Sequence, residues 1–213
     1  MSSAYYPISP ESIEWLCERD PELGAVIRRM DPPQRKLCPD LFSGLVFYVI
    51  SQQISAKAAD TEWRRFTELF GPVRPECIAK LTPEEIQKCG TTLRRSGYIL
   101  DIARQVASGR IDLQELASLP DNEFCKQVTK LPGIGAWTAQ MLLIHALRRP
   151  DVISYGDLAI LRGMRMVYQV PEISREQFEG YRQRYSPYAT VASIYLWAIS
   201  AGNGGCLPDP ARN

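Results

Sequence analysis

Apolar residues recur at three- and four-residue spacing almost from one end of this chain to the other, the signature of amphipathic helices. Ser9-Pro10-Glu11-Ser12 predicts a helix start, with Ser9 as N-cap and Pro10 in the first turn, and Ile13, Leu16 and Cys17 follow at helical spacing. Asp20-Pro21-Glu22 predicts another, with Leu23, Val26, Ile27 and Met30 on one face and Pro32-Pro33 as its stop. The run from Leu41 to Ile50 is apolar nearly all round, which predicts a central core helix. Ser55 predicts the cap of a longer amphipathic helix that reaches Phe70, where Gly71-Pro72 ends it.

Shorter elements follow. Thr82-Pro83-Glu84-Glu85 has capping-box spacing. A helix is predicted from Gly97 to Ala107, ended by Gly109, then a turn over Leu113 to Leu116 and a helix from Pro120 to Lys130. After Leu131-Pro132-Gly133-Ile134-Gly135 the pattern predicts helices from Ala136 to about Leu147, from Asp157 to Tyr168, from Gln177 to Tyr185 under a Ser174 cap, and from Val191 to Ala201. Residues 202–213 (GNGGCLPDPARN) read as a poorly ordered tail. No strand alternation runs past four residues and no repeat has a fixed period, so the class is all-α with roughly ten helices.

Composition narrows the partners more than the fold. At 213 residues, 45% hydrophobic and 23% charged, the chain fits one domain, or two small subdomains sharing a core. The longest apolar stretch, Leu45 to Ile50, is too short to span a bilayer, and MSSAYYPISPES does not read as a signal peptide, so no membrane is expected. Cysteines 17, 38, 77, 89, 125 and 206 form no C-x-x-C pair, which argues against structural zinc or a dense disulfide framework and suits a reducing cytosol. The net charge of +1 gives no hint of a polyanionic partner. His145 is the one histidine and lies among Leu142, Leu143, Ile144 and Leu147, where a packing role is expected and a catalytic metal is not.

Four local patterns carry chemistry. Two glycines in Leu131-Pro132-Gly133-Ile134-Gly135 let the chain reverse and present backbone N–H groups at the next helix N-terminus, an anion site flanked by Lys130 and Thr138. A plain helix–helix turn is the other reading of that spacing, until the amphipathic helix behind it completes a helix-hairpin-helix. Asp157, 22 positions after Gly135, is a helix N-cap or a functional carboxylate. Ser51-Gln52-Gln53-Ile54-Ser55 is a capped turn, or a wedge that enters a base stack. Trp137, Tyr155 and Trp197 are core aromatics or walls of a pocket.

Together, LPGIGAWTA at 131–139, YGDLAI at 155–160 and the aromatic run from Tyr185 to Trp197 resemble the helix-hairpin-helix (HhH-GPD) DNA glycosylases. The likeness runs from about residue 20 to residue 200 and is greatest to the 3-methyladenine DNA glycosylase II, AlkA-like branch. The resemblance implies two helical subdomains around a cleft. One covers residues 41–150 with the wedge and hairpin. The other joins residues 1–40 to 151–213 and carries Asp157, which would face Trp137. It also implies a compact form without the branch's N-terminal β domain.

By the same resemblance Asp157 matches the catalytic aspartate, Gly133 and Gly135 the phosphate-contacting glycines, and Trp137 and Trp197 the base-pocket aromatics, with Met141 and Tyr155 beside them. Gln53 matches the intercalating position, with Gln52 and Ile54 as alternatives, and a monovalent cation is implied at the hairpin backbone around Leu131 and Gly133. Endonuclease III, a bifunctional relative, has its Schiff-base lysine where this chain has Trp137. The implied enzyme is therefore monofunctional and uses water. The iron–sulfur cluster of endonuclease III needs four closely spaced C-terminal cysteines; this chain has only Cys206 there, so no cluster is expected. The implied partner is duplex DNA carrying alkylated purines, with no cofactor and no obligate protein partner. The implied compartment is the cytoplasm, at the nucleoid in a bacterium, or the nucleus in a eukaryote. A glycosylase for another damaged or mismatched base, and a non-catalytic DNA-binding module, are the alternatives.

Overall fold

The computed structural model describes residues 4–205 and 207–212. Among them are thirteen α-helices, a terminal 3-10 turn and one isolated bridge between Tyr5 and Lys36. The described chain divides into two compact units. Unit 1 takes the residues up to Leu37 and those from Arg148 onward, and unit 2 runs from Cys38 to Leu147.

Unit 1 opens with α1 (Pro10–Arg19) and α2 (Pro21–Ile27), each with proline in its first turn. Ser9 accepts the Ser12 N–H to cap α1, and Asp20 accepts the Leu23 N–H to cap α2. Unit 2 then holds α3 (Leu41–Ile50), α4 (Ala56–Phe70), α5 (Pro75–Ile78), α6 (Pro83–Gln87), α7 (Leu93–Ala107), α8 (Leu113–Ser118), α9 (Asp121–Val128) and α10 (Ala136–His145). Every residue of α3 except Phe47 is buried, which is why its sequence is apolar on all sides.

Several helix ends shift by up to three residues, and two elements differ more from the sequence expectation. α7 begins at Leu93 rather than Gly97, because Thr92 caps it by accepting the Arg95 N–H. Gly97 sits where a Cβ would meet nothing, so it is a tolerated glycine inside a helix and not a start signal. α5 was not expected, since four residues are too few to show a helical period.

The chain returns to unit 1 with α11 (Leu158–Tyr168), α12 (Arg175–Tyr185) and α13 (Ala189–Ser200). All of α13 is buried except Trp197, which is half-buried. α11 lies so close to α13 that a Cβ on Gly163 would run into the Leu196 carbonyl oxygen. The first segment of the unit is tied to the second through Asp20, whose side chain is fully buried. Its Oδ2 accepts from the Tyr168 hydroxyl at 2.7 Å and from the Arg184 guanidinium at 3.3 Å. Tyr168 and Tyr185 share a hydroxyl–hydroxyl bond of 2.5 Å, and burial pushes both phenols above the ordinary range, so both keep their protons.

The expected disorder of the tail is corrected for its described part. Asp209 is buried and receives the Arg165 guanidinium on both oxygens at 3.1 and 2.9 Å, with Arg162 at 3.6 Å. Two arginines three apart on one helix face make a fork for one carboxylate, and Pro210–Arg212 closes as a 3-10 turn behind it. Cys206 lies outside the described residues; cysteines 17, 77, 89 and 125 are free thiols. Among the described residues no helix is long and apolar enough to cross a membrane.

Gly163→Ala is expected to force α11 off α13 and cost about 1–3 kcal/mol or more, read as a lowered melting temperature. The bond from Arg165 holds the Asp209 carboxyl below its ordinary range. Its stabilisation is thus present above the unfolded carboxylate pKa of about 4 and lost as pH falls through the lower folded value. Asp209→Asn should remove that acid-side step from a pH series of thermal melts.

Candidate functional site

The hairpin of unit 2 is built by its two glycines in different ways. Gly133 has φ +77°, and a Cβ there would lie 2.5 Å from the Tyr98 ring, so the fold itself demands glycine. Gly135 has an ordinary φ of −97°, and a Cβ would meet nothing within 4 Å. It is the N-cap of α10 and, having no side chain, leaves the helix without a side-chain cap. The N-terminus of α10 is therefore suited to an external anion. Lys130 is exposed beside it, with Nζ donating to the Gln127 side chain at 2.7 Å.

Thr138 does not join this surface: it is 3% exposed, because the third position of α10 already turns into the core. The two carbonyls named for a cation are both engaged. The Leu131 carbonyl accepts the Ile134 N–H at 3.2 Å, and the Gly133 carbonyl accepts the Gln52 amide at 2.5 Å. Each oxygen keeps a second lone pair, so these bonds neither build nor close a cation site.

The turn over residues 51–55, the candidate wedge, follows α3 directly. Gln53 is exposed with φ +55°, in the left-handed region, whereas Ile54 is half-buried and the Gln52 side chain is committed to the hairpin. The Arg95 guanidinium donates to the Gln52 carbonyl. Trp137, at the head of α10, is 37% exposed and packs edge-to-face on Tyr48 with ring centroids 5.9 Å apart. Tyr48 is buried, and its hydroxyl bonds His145 Nδ1 at 2.7 Å, which also lies 3.0 Å from the Met141 carbonyl. His145 thus braces the ring under Trp137. Met141 is buried in unit 2 and is not open to a ligand in this arrangement. Tyr48 and Arg95 escaped the sequence analysis: one hides in an all-apolar run, the other looks like any helix-surface arginine.

In unit 1, Asp157 is the N-cap of α11. Its Oδ1 accepts the N–H groups of Ala159 at 2.9 Å and Ile160 at 3.1 Å, which fixes the plane of the carboxyl group. Asp157 is 7% exposed, and the adjacent Leu158 is 81% exposed, so apolar surface borders the carboxylate. Tyr155 does not offer a free ring. It packs edge-on against Phe178 at 5.2 Å with the Arg175 guanidinium 4.9 Å over it, and so belongs to the packing of unit 1. Trp197 carries the Arg35 guanidinium on one face at 4.2 Å, a pairing the sequence did not suggest.

A hairpin with an uncapped helix end, an exposed tryptophan behind it and a rigidly held aspartate 22 residues on fall inside residues 46–187, which match the HhH-GPD superfamily base excision DNA repair protein family model. The chain belongs to this family. It is 33% identical to DNA-3-methyladenine glycosylase 1 of Schizosaccharomyces pombe over 75% of this chain and 72% of that protein. It is 28% identical to the putative DNA-3-methyladenine glycosylase YfjP of Bacillus subtilis, over 70% of this chain and only 55% of the relative's length. The solved structure of the S. pombe 3-methyladenine DNA glycosylase Mag1 in complex with abasic DNA is similar with a TM-score of 0.77 and 29% identity. That match covers 90% of this chain and 97% of that one.

The two hairpin glycines separate folding from ligand contact. Gly133→Ala is expected to cost more than about 1 kcal/mol, through its positive φ and the Tyr98 ring. Gly135→Ala should stay within about 1 kcal/mol of the parent in a thermal melt, yet weaken duplex DNA binding at low salt. Equal binding by Gly135→Ala and the parent would remove the hairpin from the DNA-contacting surface.

Proposed function

We propose that the chain is a monofunctional DNA glycosylase that flips alkylated purines, of the 3-methyladenine and 7-methylguanine type, out of duplex DNA and hydrolyses their glycosidic bonds. The observation that carries this reading is the exposed Trp137 directly behind the hairpin, where the resemblance implies that endonuclease III has its lysine. An indole cannot form a Schiff base, so water is the nucleophile. The relatives named for 3-methyladenine excision support the substrate class.

The buried position of a base in a duplex requires that it leave the stack first. Gln53, exposed and held in the left-handed region, is the wedge that fills the gap. The backbone amides at the head of α10, with Lys130, hold the DNA backbone. The flipped base carries positive charge when alkylated at N3 or N7, and an electron-rich indole attracts it by about 0.5–2 kcal/mol. Trp137 offers such a ring, and Trp197 already supports one planar cation in Arg35.

As the C1′–N bond breaks, its electron pair leaves with the base and neutralises it. The sugar becomes oxocarbenium-like, and the Asp157 carboxylate stabilises that charge without reorganising, because two backbone N–H groups already hold it. Water adds to C1′ and gives up a proton, leaving an abasic site and uncut strands. A base that departs neutral needs little general acid, so one carboxylate suffices where sugar hydrolysis uses two. The enzyme acts in whichever compartment holds the DNA, the cytoplasm of a bacterium or the nucleus of a eukaryote.

Methylated duplex incubated with the wild type should release 3-methyladenine or 7-methylguanine and keep its strands intact. Asp157→Asn preserves the helix cap and removes the charge. It should bind duplex normally while excision falls at least about 10²-fold. A loss below about tenfold would sink the catalytic role of Asp157. Binding without release by either protein would favour a DNA-binding module or another lesion.

A further inference from the structure

Unit 2 contains a linkage that the function above leaves unused. Arg95, at the third position of α7, is half-buried and donates from its guanidinium to the Gln52 carbonyl. Gln52 in turn donates through its side-chain amide to the Gly133 carbonyl at 2.5 Å. The other side of Gly133 is closed by the ring of Tyr98, whose hydroxyl takes the Arg94 Nε–H at 2.5 Å. Turn and hairpin, 81 residues apart in sequence, are thus bolted together and braced by the first two turns of α7.

What the linkage holds is a residue in an unfavourable conformation. Gln53 is exposed with φ +55°, which disfavours any side chain larger than glycine. The peptide group just before it is the one that Arg95 grips. A charge-assisted bond to a carbonyl is strong enough to offset a single left-handed residue, so the conformation persists before any DNA arrives.

We propose that Arg95 is a positioning residue for the wedge. Through the Gln52 carbonyl it sets the height at which Gln53 stands. The Gln52 side-chain amide, on the Gly133 carbonyl, makes wedge and hairpin move as one body, so that seating the DNA backbone on the hairpin drives Gln53 into the stack. This rests on the glycosylase reading and on Gln53 as the wedge, and adds to them the means by which backbone binding and base flipping are coupled. The linkage acts on flipping and not on bond cleavage, so it matters only where there is a stack to enter.

The test compares single-turnover release of 7-methylguanine from methylated duplex and from methylated single-stranded DNA, using Arg95→Met, Arg95→Lys, Gln53→Ala and the Arg95→Met/Gln53→Ala pair. Arg95→Met should lose about tenfold or more on duplex, the scale of a small misplacement, and less than about twofold on single strands. Arg95→Lys, which keeps one donor direction and the charge, should recover part of the loss. If Arg95→Met melts early, the lysine variant carries the same duplex-to-single-strand comparison. Added to Gln53→Ala, the arginine change should have little further effect, because both act at one step.

Equal losses on both substrates, additive losses in the double variant, or no loss on duplex would overturn the proposal. So would a fall of about one in the salt slope of duplex affinity, which would make Arg95 a phosphate contact. A wild type that releases no base from either substrate takes the glycosylase reading down and this one with it. An active wild type matched by Arg95→Met overturns this one alone.

Discussion

A carboxylate with no access to water must find its partners inside the protein, and Asp20 finds them on both segments of unit 1. One oxygen caps α2 and the other receives Tyr168 at the end of α11 and Arg184 on α12. Removing a single partner from a buried charge costs about 3–5 kcal/mol, so the cluster stands or falls together. Its importance lies in what α11 carries. The foot of that helix is pinned by Asp20 and, through Arg165, by Asp209, while its head is capped by Asp157. The candidate catalytic carboxylate is thus mounted on an element held at both ends.

Unit 2 follows the opposite logic at its hairpin. α10 begins without a side-chain cap, and Gly135 has neither a backbone nor a steric reason of its own to be glycine. Local stability is left unclaimed where an outside ligand can supply it. Behind that surface the fit is tight: Tyr98 presses on Gly133, Tyr48 backs Trp137, and His145 fixes Tyr48.

Local signals were legible in the sequence because their physics is local. The caps at Ser9, Asp20, Ser55, Thr82 and Ser174 each need only the residues of the next turn, and all are N-caps in the structure. The hairpin and Asp157 stand out for the same reason: glycine spacing and a cap position are visible one residue at a time. What stayed hidden depends on pairs brought together by folding. Arg95 meets Gln52 across 43 residues, and Arg35 reaches Trp197 from the far end of the chain. Thr138 misled because helical phase at the start of an all-apolar helix does not say which side turns inward. The tail misled because glycine and proline suggest disorder, whereas here Pro208 and Pro210 frame an aspartate that α11 was built to receive.

The chain's division also sets an order of events during synthesis. Unit 2 is one continuous stretch and has every residue it needs once Leu147 has emerged. Unit 1 is interrupted. α1 and α2 leave the ribosome before unit 2, yet Asp20 has to wait 148 residues for Tyr168. Until then Leu16, Leu23 and Ile27, which end up buried, have no core to enter. The unit that carries the hairpin therefore has its whole sequence early, and the unit that holds Asp157 is completed last, around a segment already made. A nascent chain stalled before α11 would leave these side chains without the helices that cover them.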